Sequence, residues 1–131
     1  MPPKVDKERD VEAYFKRQWT LHKGKSRKLR WLCRTGAPDR FAWLPGDPPS
    51  VFFVELKRPK GATRATQKVE HRILRADGLE VHVLDTRLLV DNFIRTAVDT
   101  HSLRCRMPSR HRAAAAHPKE EESNEDDTQS P

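Results

Sequence analysis

Asp39, preceded by Pro38, is followed after 16 and 18 residues by Glu55 and Lys57, and these are the side chains whose types and spacing could do chemistry. Residues two apart in a strand project from the same face, so Glu55 and Lys57 point together at the end of the apolar run VFFVELK. An acid and a base so placed satisfy either each other or a ligand. The simpler reading is a salt bridge at a strand end. Against it stands Asp39, which opens the preceding strand of a hairpin and brings a second carboxylate toward Glu55. Two carboxylates side by side repel, and a hard divalent cation with oxygen ligands relieves that repulsion. A lysine beside such a cation could hold an attacking water or balance the charge of a phosphate.

Several elements must position these residues. From about Asp6 to His22, Val11, Phe15 and Trp19 recur every four residues, which predicts an amphipathic helix ended by Gly24. Lys28 to Arg34 alternates, with Leu29, Trp31 and Cys33 inward and Lys28, Arg30 and Arg34 outward, and predicts a half-buried strand before the turn at Gly36-Ala37-Pro38. Asp39 to Leu44 is a second strand. Past the loop Pro45-Gly46-Asp47-Pro48-Pro49, Val51 to Lys57 is a third, too continuously apolar for a sheet edge. A helix follows from Thr63, its expected N-cap, to Ala76, with Val69, Ile73 and Ala76 on the buried face and Gly78 as terminator. Leu79 to Leu84 is a short strand and Leu88 to Val98 a last helix. Trp31, Phe41, Trp43 and Phe53 alternate within strands and are expected in the core rather than as base-stacking groups, and Cys33 is expected to pack there too.

The chain has 131 residues, room for one domain, with 35% hydrophobic and 34% charged residues. Its last segment, 118–131, carries one Lys against six carboxylates, so removing that −5 from the formal +7 leaves +12 on residues 1–117. A body that basic favours a polyanion, nucleic acid before an acidic membrane surface. No apolar run approaches the roughly 20 residues of a membrane span, and the N-terminal MPPKVDKERD has no signal-peptide core. Two cysteines exclude a disulfide scaffold, and the six histidines show no zinc-ligand spacing. Residues 1–98 are expected to form the domain, and 99–131 a basic, then acidic tail without order, serving either solubility or masking of a DNA-binding face.

Gly36-Ala37-Pro38-Asp39-Arg40, Phe53-Val54-Glu55-Leu56-Lys57, Gln67 and Gly78-Leu79-Glu80-Val81 together resemble a VRR-NUC domain, a branch of the PD-(D/E)XK nuclease superfamily. Asp10-Val11-Glu12-Ala13-Tyr14 is similar to the first helix of short, stand-alone phage and bacterial members, so the likeness spans about residues 8 to 95. A longer Pro-rich hairpin loop and the charged C-terminal extension depart from the pattern. The resemblance implies an α/β, restriction-endonuclease-like core of order αβββαβα, a mixed sheet flanked by helices. It implies Asp39 and Glu55 as metal ligands joined by the Leu56 carbonyl, Lys57 as catalytic lysine, Gln67 as a site-lining residue and Glu12 as an extra metal carboxylate.

The activity so implied is hydrolysis of DNA phosphodiesters with Mg2+, for which Mn2+ would substitute, on Holliday junctions or other branched DNA. A homodimer would match a junction's symmetry. The setting would be the cytoplasm of a bacterium or phage-infected cell, with no membrane partner. The rival readings are a non-catalytic or partner-dependent DNA-binding module and a simple duplex nicking or restriction-type endonuclease. Lys28, Arg30 and Arg34, on the outward face of the first strand, are the first candidates for DNA contacts, or else a solvated edge that discourages strand pairing. His71, one turn after Gln67, could face DNA or serve as an ordinary hydrogen-bonding residue.

Overall fold

The computed structural model describes residues 4–107. Helix α1 spans Glu8–Leu21, followed by strands β1 Lys25–Lys28, β2 Arg40–Leu44 and β3 Ser50–Leu56, helix α2 Ala65–Ala76, strand β4 Val81–Leu84 and helix α3 Arg87–Cys105. The strands form one sheet in the order β1-β2-β3-β4, antiparallel except for the parallel pair β3 and β4, which α2 connects. This is the expected αβββαβα order, with β3 central, as its unbroken apolar run requires.

Strand alternation divides β3 between two layers. Phe52, Val54 and Leu56 face one side, where they join Val11, Phe15 and Trp19 of α1 and Val90, Phe93, Ile94 and Ala97 of α3 in the core. Trp19 stacks between Phe15 and Phe93 at centroid distances of 5.7 and 5.6 Å, and its indole N–H donates to the Lys25 carbonyl at 2.9 Å. Glu55 faces the other side, beneath α2. Three helices thus flank a mixed sheet, with the polar centre on the α2 face.

Several expectations are corrected. The first strand is Lys25–Lys28, not Lys28–Arg34: Lys28 pairs with Arg40, and the ladder closes with the Leu29 N–H on the Asp39 carbonyl at 2.9 Å. A longer strand would have run past the start of β2, opposite Gly36 and Pro38. Cys33 accordingly is exposed, with φ +59°, and does not pack in the core. Trp31, Phe41, Trp43 and Phe53 are half-buried on the α2 face of the sheet, in mutual contact at 5.6 to 6.3 Å, rather than in the core.

Helix α2 turns a different face inward from the one expected. Glu70, His71 and Leu74 are buried, while Val69 and Ile73 are 51% and 40% exposed. Its N-cap is Arg64, not Thr63; the Arg64 N–H is taken by Gln67 Oε1 at 3.1 Å. Gly78 follows the helix with φ +88°, the left-handed cap its position predicts.

Helix α3 runs past Val98 to Cys105, so residue 98 lies within it. Its extra turns are tied to the β2–β3 loop: His101 Nδ1 lies 2.7 Å from Ser50 Oγ, its Nε2 lies 2.9 Å from the Pro45 carbonyl, and Arg104 donates to Ser50 Oγ at 3.1 Å. The acidic segment 118–131 lies outside the described residues.

Candidate active site

Glu55 is fully buried, an expensive position for a carboxylate without partners. Its Oε1 meets Lys57 Nζ at 3.1 Å and accepts from Gln67 Nε2 at 2.7 Å. Its Oε2 has no hydrogen-bond partner and lies 3.7 Å from His71 Nε2, itself buried and unpartnered. The i, i+2 relation along β3 accounts for Lys57, and the i, i+4 relation along α2 places Gln67 and His71 on one helical face.

Asp39 stands at the entry to β2, and its Oδ2 accepts the Leu56 N–H at 3.0 Å. That bond ties the second carboxylate to the backbone between Glu55 and Lys57. Gly36 fixes the approach: at φ +91°, its position would put a Cβ 2.5 Å from the Thr66 carbonyl, so only glycine lets the segment before Asp39 lie against the start of α2.

The electrostatics follow from this packing. Burial raises the pKa of Glu55 first and the nearby Asp39 carboxylate raises it further, while Lys57 and Gln67 oppose the shift. Burial, with the charges of Arg75 and Lys57, lowers the pKa of His71 and favours the neutral imidazole. Two carboxylates with backbone oxygens form a donor set suited to a small hard cation whose remaining positions go to water or phosphate. The unpartnered Glu55 Oε2 is an acceptor that such a cation would satisfy.

Glu12 does not join them. Its Oε1 accepts from the buried Arg40 at 3.0 and 3.2 Å and lies 3.8 Å from Lys28 Nζ, and among the described residues no three His, Cys, Asp or Glu side chains group around a metal position. The resemblance made Glu12 an extra ligand; serving as one would require it to leave Arg40.

The first candidates for DNA contacts are partly committed elsewhere: Lys28 pairs with Glu12, and Arg34 with Glu70 at 2.9 Å, while Arg30 is exposed. The contact between His71 and Glu55 is the feature that sequence reasoning left open. Its signal was the four-residue step from Gln67. None of the described helices is long and apolar enough to cross a membrane.

A solved structure described as a "VRR_NUC domain" matches this fold with a TM-score of 0.62 and 32% identity, over 67% of this chain and 94% of that one. The chain matches no family model and no curated protein.

Proposed function

The chain belongs to the VRR-NUC domain family, and on that premise we propose that it is a metal-dependent DNA endonuclease acting on branched DNA. The observation that carries this reading is the fully buried Glu55, which feels the charge of the Asp39 carboxylate, holds Lys57 at 3.1 Å and keeps one oxygen without a partner. A structural ion pair needs neither the second carboxylate nor an unsatisfied buried oxygen.

In this reading Asp39 and Glu55, with the Leu56 carbonyl, hold Mg2+ or Mn2+. The cation supplies Lewis-acid activation of water and charge stabilisation at the phosphate. Lys57 contributes a fixed positive charge that orients the attacking water or offsets charge developing on the phosphate oxygens. Gln67 keeps Glu55 in position: its Oε1 is occupied by the Arg64 N–H, so its Nε2 is directed at the carboxylate. The hydrophobic layer of α1, α3 and β3 beneath the site holds both strands rigid, which preserves the alignment of attacking and leaving groups. Glu12 acts by holding Arg40, the first residue of β2, and so on Asp39 immediately before it.

The test is cleavage of labelled four-way junction, flap, duplex and single-stranded DNA, each with Mg2+ and with EDTA. Mg2+-dependent cutting, fastest on a branched substrate, is expected. Binding without cutting in every arm would replace the enzyme with a binding module. The junction arm also reads assembly: a two-fold pair of chains gives paired nicks on opposite strands, a lone chain independent single nicks.

A further inference from the structure

On α2, Arg64, Lys68, Arg72 and Arg75 recur at steps of four, four and three residues, and all four are exposed. At 3.6 residues per turn they fall within about 80° of one another, a continuous stripe roughly 16 Å long. The stripe lies immediately beside the Gln67–His71 row that touches Glu55. Between residues 57 and 75 the chain carries seven Lys or Arg and one acid, Glu70, which lies toward the opposite side of the helix and is paired with Arg34. Arg64, Lys68 and Arg72 enter no ion pair among the described residues.

Next to the stripe, an open groove of about 630 Å3 is lined by Lys68, His71, Arg72, Arg75 and Val83, with no acidic residue in its wall. Val83 is the direct neighbour of Glu55 in the parallel register, and His71 lies 3.7 Å from its carboxylate, so the groove opens beside the candidate catalytic centre. Arg75 is braced by donating to the Val81 carbonyl at 2.8 Å.

We propose that this groove and the α2 stripe are the track for the DNA backbone next to the phosphate being cut, with Lys68 and Arg72 each neutralising one phosphate. The inference rests on the nuclease reading and adds to it where the strand lies. One DNA strand places a phosphate every 3.4 Å or so of helix axis, so a stripe of this length spans about five. Lys28 and Arg34 each have a carboxylate partner, Glu12 and Glu70, and are secondary.

The test is anisotropy of a fluorescein-labelled duplex and four-way junction in EDTA, titrated with the full chain between about 50 and 200 mM salt. The variants are Lys68→Gln/Arg72→Gln and Lys28→Gln/Arg30→Gln/Arg34→Gln. Gln keeps helix propensity at exposed positions, and circular dichroism confirms that α2 persists. The α2 double variant should lower the log–log salt slope on duplex by nearly 2, at about 0.9 per phosphate, and the triple variant by less. An unchanged slope in the double variant, with wild type bound, overturns the track and leaves the nuclease reading standing. Wild type that binds neither DNA overturns both.

Discussion

Glu55, removed from solvent and near a second carboxylate, has Lys57 and Gln67 on one oxygen and no hydrogen-bond partner on the other. Because the pKa of Glu55 is raised in the fold, its neutral form is favoured more there than in the unfolded chain. The resulting contribution to stability is complete below the ordinary carboxylate range and is lost as pH rises through the folded value. In EDTA, wild-type Tm should therefore fall relative to Glu55→Gln as pH rises from about 4 toward 8, since the amide does not titrate. Added Mg2+ should raise the wild-type Tm at neutral pH and leave Glu55→Gln unmoved, because only a state that binds is stabilised. Parallel Tm profiles in EDTA would mean that Glu55 is not perturbed. That Glu55 and Lys57 share a face and that Asp39 approaches them was legible in sequence, through strand alternation and the hairpin, whereas Gln67 came only from the family resemblance. His71 was not, because a single histidine on a helix has many ordinary fates and only the packed face decides among them. The partner of Glu12 was hidden for a related reason: the pattern places it beside the apolar stripe, but Arg40, which it accepts from, is brought there by the sheet.

The elements were legible where burial follows hydrophobic pattern and obscured where the site inverts it. The stripe of α1 is buried as read, since it meets only the apolar core. On α2 the apolar Val69 and Ile73 are left outside because the sheet beneath presents Glu55 and the helix must offer it polar partners. The first strand was displaced because alternation in Leu29, Trp31 and Cys33 mimics a strand that β2 is too short to pair. The segment that results, residues 29–39, carries Asp39 and depends on Gly36 to pass close to Thr66. Gly36→Ala should cost about 1–3 kcal/mol from the positive φ and the close approach together. In a domain near 100 residues, each 1 kcal/mol lowers Tm by about 4–8 °C. Cleavage should fall as well, because Asp39 shifts with the segment. Thermal melts alongside cleavage rates check this, and unchanged values in both would show that the segment does not set the position of Asp39.

At the scale of the molecule, two layers divide the work. The α1–α3 layer supplies apolar burial and anchors the β2–β3 loop through His101 and Arg104, while the α2 layer carries the polar centre and the exposed cations. A sequence pI near 9.8 gives the chain a general attraction to polyanions, but charge alone does not distinguish a binding module from an enzyme. The carboxylate pair bears on that choice, because it repels phosphate unless a cation intervenes. The most direct measurement is therefore the Mg2+-dependent cleavage rate of wild type, Asp39→Asn and Glu55→Gln on the same labelled DNA, with binding followed in parallel. Wild type should cut, and each variant should lose at least about a hundredfold in rate while binding as well or better, having lost a negative charge. Near-normal Mg2+-dependent cleavage by either variant would contradict the assignment of Asp39 and Glu55 as the metal-holding pair.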